Sequence, residues 1–313
     1  MPDFTAGCLA ASYQNWVKIG APETVLSWVQ HGVPLIFDSV PAPFEIQNRH
    51  LPPTQTAFVT SELQRLESIG VIKRCSVKPK YCSPVSCVPK KGGKNRLITD
   101  LRYLNSHCSA PKFNNEDIRV VEQYVQYNDL LATVDLQDGF YHILVKPEDR
   151  QYLGFQWLGV YYTWTVLPFG LSLSPWYFAK ILRPVVTYLR SLGVRLQAYV
   201  DDFLLAAQQA TFTDHLDVLL DTLQDLGWHI NRKKSSLLPE HVKAYIGYKI
   251  KTNGADGHPL IQISAERIRK LKRSLQKVCQ QTVITARNLA RVAGQCVAMS
   301  KAILPAKLML RSI

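Results

Sequence analysis

The tetrapeptide Tyr199-Val200-Asp201-Asp202 puts two adjacent carboxylates between two apolar runs, with no Gly or Pro among them. Two apolar runs joined by so short a polar step predict a tight β-hairpin whose strands are mostly buried. Carboxylates at that turn repel each other and lose hydration, so one is driven to protonate unless a cation lies against them. The pair therefore indicates either a divalent metal site or a solvated Asp-Asp turn, which is common in hairpins.

A third carboxylate, Asp135, ends another apolar run, Leu130–Asp135. If this strand lies beside the hairpin in one sheet, the side chains of Asp135, Asp201 and Asp202 can meet. Three carboxylates that hold two Mg2+ ions about 3.5–4 Å apart form a two-metal site for phosphoryl transfer. From the spacing alone, this site is a hypothesis.

The composition is that of a folded protein. The chain has 313 residues, of which 47% are hydrophobic and 19% are charged, enough for two or three subdomains. We expect no membrane span and no signal peptide, because neither kind of apolar segment is present. The seven cysteines are irregularly spaced, and Cys82, Cys87 and His107 fit no standard zinc site. We therefore expect reduced thiols in a cytoplasmic or nuclear protein that is not secreted.

The C-terminal segment is strongly basic. The formal net charge is +13, and residues 267–313 contain eleven Lys or Arg and no Asp or Glu. A basic segment with helical periodicity predicts a polyanionic partner, above all nucleic acid. The alternative is a solvated helical face, although such faces normally mix both signs of charge.

Local patterns predict a mixed α/β body. A helix follows Pro52-Pro53, with Thr54 or Thr56 as its cap and Gly70 at its end. A second helix runs from Ser174 to about residue 192, and Pro184 inside it predicts a kink or a break. A third spans about 213–226, and Ser264 and Thr285 begin the last two. Strands are predicted at residues 71–75, 85–89, 96–100, 130–135, 153–157, 161–166 and 244–251. Residues 1–50 contain two short helix-like stretches.

Six segments occur in an order that resembles the reverse transcriptases. They are residues 96–105, 135–140, 166–175, 199–202, 226–234 and 245–249. In that order they are similar to the fingers motif, motifs A, B, C and D, and the primer-grip hairpin. The resemblance covers residues 51–313 and implies an α+β right-hand polymerase fold. It also implies an RNA-directed DNA polymerase that extends a primer 3′-hydroxyl with dNTPs on RNA or DNA templates.

The resemblance also implies a domain order. We expect an N-terminal extension (1–50), fingers (51–129), palm (130–250) and thumb (251–313), with 141–168 shared between fingers and palm. No RNase H domain is expected in the chain, which looks like a polymerase segment of a longer polyprotein. Alternatives are an intron-maturase or non-LTR reverse transcriptase, or an inactive nucleic-acid-binding domain.

The end of the chain resembles one subgroup in particular. Residues 289–294, Met299-Ser300, Pro305 and Leu310-Arg311 are similar to the thumb of DIRS-like retrotransposons, which use a tyrosine recombinase. A gypsy-like or pararetroviral element is the alternative.

The resemblance assigns catalytic roles to five residues. Asp135, Asp201, Asp202 and the backbone carbonyl of Leu136 are expected to hold two Mg2+ ions, for which Mn2+ can substitute. Lys234 is expected to protonate the departing pyrophosphate. Lys233 is the alternative donor, and a solvated basic turn is the simpler interpretation of both lysines.

Further residues are expected to contact the incoming nucleotide. They are Lys90, Lys91, Arg96, Phe140, Phe169 and Gly170. Arg96 and one of the two lysines would hold the triphosphate, although a Gly-Gly-Lys loop can also be a plain surface turn. Phe140 aligns with the steric gate that excludes a ribose 2′-hydroxyl, and an ordinary core Phe is the alternative.

A last group of residues is expected to contact primer and template. It consists of Tyr199, Tyr245, Ile246, Gly247, Tyr248, Arg267, Lys270 and Arg273. Contacts from a basic thumb helix go to phosphate and sugar, so they recognise the shape of the duplex rather than its sequence. We expect binding to fall steeply with salt, and we expect the protein to be a monomer.

Overall fold

The fold is described from a computed structural model, which describes residues 4–89, 95–113, 115–300 and 302–303. Lys90 and Lys91, both expected at the nucleotide, lie outside these residues. The chain divides into two compact units. The first unit comprises residues 1–115, 136–189 and 220–230, and the second comprises residues 116–135, 190–219 and 231–313.

The α-helices of the described residues are α1 (Tyr13–Lys18), α2 (Glu23–His31), α3 (Pro53–Ser68), α4 (Arg102–Asn105), α5 (Ile118–Tyr124), α6 (Ser174–Ser191), α7 (Phe212–Asp225), α8 (Ala265–Cys279) and α9 (Ala286–Val297), and short 3-10 helices span Cys8–Ser12, Gly139–His142 and Pro147–Leu153. The strands are β1 (Phe44–Glu45), β2 (Ile72–Arg74), β3 (Tyr81–Cys82), β4 (Val85–Pro89), β5 (Asn95–Thr99), β6 (Leu130–Asp135), β7 (Gly154–Trp157), β8 (Val160–Trp164), β9 (Arg195–Tyr199), β10 (Asp202–Ala207), β11 (Ser236–Glu240), β12 (Val242–Tyr245), β13 (Tyr248–Lys251) and β14 (Leu260–Ile263).

The first unit contains a five-stranded sheet in the order β1-β3-β7-β8-β2 and the two-stranded hairpin β4-β5. The two-residue turn Leu158-Gly159 joins β7 to β8, and both of its residues have positive φ. That conformation matches the right-handed twist of the flanking strands, which explains the tight hairpin.

The second unit contains the antiparallel sheet β11-β6-β10-β9 and the three-stranded sheet β12-β13-β14. Its core is formed by apolar side chains from α5, from these strands and from the β12-β13 hairpin. The pattern of residues 244–251 predicted one strand, but the segment forms two antiparallel strands that turn at Ile246-Gly247, as the expected hairpin at 245–249 requires. Gly247 has φ 82°, a conformation that costs glycine little.

The start of α3 differs from the expected one. Pro52 occupies the N-cap and Pro53 the first helical position, so neither Thr54 nor Thr56 caps the helix. Proline suits this position because its missing N–H would have no helical partner and its φ is already helical. The hydroxyl of Thr56 instead donates to the carbonyl oxygen of Leu51 at 3.3 Å.

Pro184 does not break α6, which continues through it to Ser191. A proline at this position leaves the carbonyl of Lys180 without its helical donor. Lys180 is exposed, so water can donate to that carbonyl instead. The expected caps of the last two helices are confirmed: Ser264 accepts from the Arg267 N–H, and Thr285 accepts from the Asn288 N–H. In the described part of the chain, no helix has the length and apolar character needed to cross a membrane.

Candidate active site

Asp135 and Asp202 lie directly opposite each other on neighbouring antiparallel strands. Asp135 is the last residue of β6 and Asp202 the first of β10, and the register pairs the two. Directly opposed residues in an antiparallel pair point to the same face of the sheet. The sheet therefore brings together two of the three predicted carboxylates, although they are far apart in sequence.

Asp201 is held at the tip of the same hairpin. Tyr199 pairs with Asp202, so Val200 and Asp201 form a two-residue turn between β9 and β10. Val200 has φ 55°, the left-handed conformation that such turns need and that a β-branched residue adopts only with strain. Strain of this kind persists where the surrounding pairing fixes the backbone, and it is concentrated at functional sites.

The three carboxylates interact electrostatically. Burial, followed by the nearby charges of Asp201 and Asp135, raises the pKa of Asp202 to about 6, and the Lys234 ammonium opposes this shift. Asp202 and Asp135 also share a side-chain hydrogen bond. Three carboxylates against one ammonium leave negative charge that is not balanced by these four side chains.

Lys234 contacts the end of β6. Its Nζ lies 3.2 Å from Oδ1 and 3.5 Å from Oδ2 of Asp135, whose side chain is 13% exposed. Residues on both sides of Lys234 in the sequence are bonded to the same strand end. Asn231 N–H donates to the Asp135 carbonyl at 2.8 Å, and the Asp135 N–H donates to Ser235 Oγ at 3.0 Å.

Asn231 and Ser235 had no assigned role in the sequence interpretation. Ser235 Oγ donates to the Asn231 carbonyl at 2.8 Å, and the Lys234 N–H donates to the Asn231 side-chain oxygen at 3.3 Å. Asn beside a short basic turn is a known signal for side-chain to backbone bonding. The sequence therefore contains a signal for the bonds within this turn. It contains no signal for the bond to Asp135, which is about a hundred residues away.

The donor set of this site fits a divalent cation. In the residues that the structure describes, no three His, Cys, Asp or Glu side chains are close enough to form a complete metal cluster. Hard carboxylate oxygens are nevertheless the ligands that Mg2+ and Mn2+ prefer. Burial first, and then the charges of Asp201 and Asp135, raise the pKa of Asp202, and a cation bound beside the carboxylates would favour their charged forms. Leu136, whose carbonyl is the fourth expected ligand, is fully buried and pairs with Ile230.

The Tyr245 hydroxyl is bonded to the backbone of Asp202. It donates to the Asp202 carbonyl at 3.0 Å and lies 3.4 Å from the Gln197 carbonyl. The side chain is 4% exposed, so in this arrangement it contacts protein rather than a ligand. Tyr199, in contrast, is 38% exposed at the hairpin.

Arg267 links the turn of the β12-β13 hairpin to the last helices. Its guanidinium carbon lies 4.8 Å from the centre of the Tyr248 ring, and Nη1 donates to the Ala298 carbonyl at 3.3 Å. The Tyr248 hydroxyl donates to the same carbonyl. Gly247 suits its positive φ, and a side chain there would lie 2.8 Å from the Arg267 guanidinium, which would have to move. Lys270 and Arg273 are exposed on α8.

A cavity of about 590 Å3 opens between these elements of the second unit. Its lining combines the catalytic hairpin, the β12-β13 turn and the start of α5. The lining residues include Asp117, Tyr199, Asp202, Ile246, Tyr248 and Arg267. The cavity thus places an exposed tyrosine and a carboxylate beside the turn expected to hold a primer.

The expected nucleotide residues of the first unit also lie together. The Phe140 and Phe169 rings are 5.0 Å apart, and the Arg96 guanidinium carbon lies 6.0 Å from the Phe169 ring centre. Gly170 has φ 98°, and its carbonyl accepts a bond of 2.8 Å from Asn105. Asn105 also accepts from the Ser172 N–H at 2.8 Å, so it fixes this turn, a role that the sequence interpretation did not assign.

Comparison with known sequences identifies the class of protein. Residues 88–250 match the family described as "Reverse transcriptase (RNA-dependent DNA polymerase)". The chain belongs to this family. The match contains Asp135, Asp201, Asp202 and Lys234, so the site described above lies within the family's own segment.

Individual relatives come from retrotransposons and retroviruses. The chain is 28% identical to the retrovirus-related Pol polyprotein from transposon gypsy of Drosophila melanogaster, over 64% of this chain and 20% of that protein. It is 29% identical to the Pro-Pol polyprotein of feline foamy virus, over 67% of this chain and 18% of that protein. It is 26% identical to the transposon Tf2-3 polyprotein of Schizosaccharomyces pombe, over 67% of this chain and 15% of that protein. The chain thus spans a fifth or less of these relatives.

Solved structures show the same fold. The foamy viral protease-reverse transcriptase in complex with double-stranded DNA superposes with a TM-score of 0.69 at 20% identity, over 90% of this chain and 48% of that one. The same viral protein in complex with an RNA/DNA hybrid gives a TM-score of 0.66, over 90% of this chain and 37% of that one. The expected reverse transcriptase family and α+β right-hand polymerase fold are confirmed.

Proposed function

We propose that this chain is a polymerase that extends a primer 3′-hydroxyl with dNTPs on an RNA or DNA template. The pairing of Asp135 with Asp202, with Asp201 in the adjoining turn, carries this proposal. Family membership supports it, because the carboxylates lie within the matched segment. The foamy viral relatives were solved with double-stranded DNA and with an RNA/DNA hybrid, which supports the same class of partner here.

Asp135, Asp201 and Asp202, with the Leu136 carbonyl, are the residues that we propose as ligands for two Mg2+ ions. When bound, divalent metal lowers the pKa of the attacking hydroxyl and stabilises charge on the transferred phosphate. The protein residues supply position and charge around that chemistry. The strained turn at Val200 and the bond from Tyr245 to the Asp202 carbonyl hold the backbone that carries Asp201 and Asp202.

Lys234 is proposed as the proton donor to the departing pyrophosphate. Its side chain is 57% exposed, so the ammonium can reach a ligand as well as Asp135. Arg96 is proposed to bind the triphosphate, and Lys90 or Lys91 to assist it. Phe140 is proposed as the gate that excludes the ribose 2′-hydroxyl.

Lys270 and Arg273 are proposed to contact duplex phosphates, and Tyr199, Ile246 and Gly247 to position the primer end. The last three line the cavity of the second unit. Such contacts are independent of sequence and depend on salt.

Primer extension tests this function directly. An RNA template annealed to a DNA primer is incubated with dNTPs and Mg2+, and product length is read on a gel. We expect extension by the wild-type chain and none by the Asp201→Asn, Asp202→Asn double variant. Asp217→Asn, an exposed acid on α7, is the matched control. Extension by the double variant at the wild-type rate would exclude this site as the catalytic centre.

We further propose a DIRS-like origin, on the similarity of residues 289–294 and the segment after them to that thumb. Residues 289–294 lie in α9, whereas Pro305 and Leu310-Arg311 lie outside the described residues. Sequencing the DNA that flanks the coding region tests the proposed DIRS-like origin. A tyrosine recombinase gene beside it supports this origin, and an integrase gene between long terminal repeats contradicts it.

A further inference from the structure

Residues 4–31, here called the N-terminal brace, lie outside the segment that matches the family, yet they are bonded to the core of the first unit. Trp16, which is fully buried, donates from its indole N–H to the Leu226 carbonyl at 3.0 Å. Asn15 donates to the Asp225 carbonyl at 2.7 Å, and the Cys8 thiol donates to the Gly227 carbonyl at 3.2 Å. Three consecutive carbonyls at the end of α7, where helical donors run out, are thus paired with brace side chains.

The fit at Gly227 is close. This residue has φ 87°, and a side chain there would lie 2.8 Å from the Cys8 carbonyl oxygen. The brace therefore follows the backbone at the end of α7 too closely for any residue larger than glycine.

A line of buried aromatic rings connects the brace to Phe140. The ring centres of Trp16 and Trp228 are 6.3 Å apart, those of Trp228 and Phe178 are 5.4 Å apart, and those of Phe178 and Phe140 are 5.5 Å apart. Trp228 and Phe178 are each 1% exposed. Closely packed rings transmit a displacement because the interior has no free volume to absorb it.

A second contact reaches the turn that carries Phe140. Gly7 N–H donates to the Tyr141 carbonyl at 3.2 Å, and the Phe4 ring lies 5.0 Å from the ring of His142. Burial lowers the pKa of His142 to about 3, so its imidazole is neutral. One ring nitrogen bonds the Gly139 carbonyl at 3.1 Å, and the other accepts from the His229 N–H at 2.9 Å. The brace thus touches both residues that follow Phe140.

We propose that the N-terminal brace holds Phe140 in place and that Trp16 is a positioning residue for the selection of dNTPs over rNTPs. This inference rests on the proposed function. A gate excludes a 2′-hydroxyl only while its ring is held within a fraction of an ångström, so loosening the rings behind it relaxes the selection. Removing Trp16 therefore affects the ratio between the two substrates, rather than both rates equally.

The test measures kcat/KM for single incorporation of a dNTP and of its matched rNTP on one primer–template. The variants are Trp16→Leu, which removes the ring, and Trp16→Phe, which keeps a ring but loses the bond to Leu226. Phe140→Val is the reference for an open gate, and Val17→Ala, exposed on the same helix, is the control. We expect Trp16→Leu to reduce the dNTP preference about tenfold, with Trp16→Phe intermediate and Val17→Ala unchanged.

Equal losses for dNTP and rNTP, or an unchanged ratio in Trp16→Leu, would overturn the role of the brace and leave it purely structural. If Trp16→Leu does not fold, the same measurement is made on Trp16→Phe and Asn15→Ala. An unchanged ratio of dNTP to rNTP incorporation in both variants would overturn the proposal. A wild-type chain that incorporates no dNTP instead refutes the proposed function itself. A raised rNTP incorporation in Phe140→Val shows that the assay detects the gate.

Discussion

The ammonium of Lys234 lies 3.2 Å from the Asp135 carboxylate, across a separation of 99 residues in sequence. This pair places a cation beside the carboxylate site, and its lysine side chain is 57% exposed. An ion pair whose lysine is mostly in solvent contributes little to stability, so its role is better sought in catalysis.

We predict that Lys234→Ala slows nucleotide incorporation about a hundredfold, as expected for loss of a general acid. Single-turnover rates with saturating dNTP measure this. Lys233→Ala, its exposed neighbour, is the control and should remain near the wild-type rate. Similar rates for the two alanine variants would remove Lys234 from the proton-donor role.

Asp202→Asn should stabilise the metal-free protein at neutral pH. The pKa of Asp202 is raised from 3.8 to about 6, so the native carboxyl holds its proton more tightly than the unfolded one. Native stability therefore falls as pH rises through the interval from 3.8 to 6, and asparagine avoids that loss. We expect a gain of about 1–2 kcal/mol at pH 7.5, after allowance for solvent screening, and none near pH 4.

Thermal unfolding in EDTA at these two pH values measures the effect, with Asp217→Asn as control. Added Mg2+ should raise the melting temperature of the wild-type chain more than that of the variant. A variant that is less stable than wild type at pH 7.5 without metal would show that burial and the neighbouring carboxylates do not disfavour the charged form of Asp202.

Substitutions of the two tyrosines in the β12-β13 hairpin should have different effects, one on the rate of catalysis and the other on duplex binding. Tyr245→Phe removes the bond to the Asp202 carbonyl, and Tyr248→Phe removes the bond to Ala298. One lost hydrogen bond is worth about 1 kcal/mol, so we expect kcat to fall about fivefold in Tyr245→Phe with primer–template affinity unchanged. Tyr248→Phe should leave kcat near wild type and shorten the products of processive synthesis. The reverse pattern would refute both assignments.

The basic residues of α8 should differ in their salt dependence. Lys270→Ala is expected to reduce the slope of log affinity against log salt by about one, since it removes one phosphate contact. Arg267 also contacts Tyr248 and Ala298, so Arg267→Ala should reduce that slope less than Lys270→Ala does and should lower thermal stability. Fluorescence anisotropy with labelled duplex at several salt concentrations measures the slopes. Equal slopes for the two variants would contradict this division.

Elements with a strong local signal were predictable from sequence. The strand β6 was predicted with the correct limits because a continuous apolar run ends in Asp135, and the hairpin β9-β10 because two such runs flank the aspartates. The caps at Ser264 and Thr285 follow from side-chain chemistry within three residues. The convergence of Asp135 with Asp202 followed from the assumption that both strands share one sheet.

Features that depend on distant contacts were not predictable. Nothing near Trp16 indicates that its indole bonds Leu226, which is 210 residues away. Arg267 was expected on the duplex because its charge fits a basic helix, and only the fold shows that it also contacts Tyr248 and Ala298. Pro184 was expected to bend or break α6, but the helix continues through it, and Lys180, whose carbonyl loses its donor, is an exposed residue. The local sequence shows that a proline costs a helix one hydrogen bond, but it does not show which surroundings compensate for that loss.

The most direct test of the central claim is single-turnover dNTP incorporation by Asp202→Asn, measured beside its affinity for primer–template. Asp202 is the residue of β10 that pairs with Asp135 of β6, so the variant removes one of the two directly opposed carboxylates. We predict that incorporation falls by at least about a thousandfold, the loss expected when a central charged group of an electrostatic site is removed, while duplex affinity stays within about twofold. Incorporation at the wild-type rate would contradict the account.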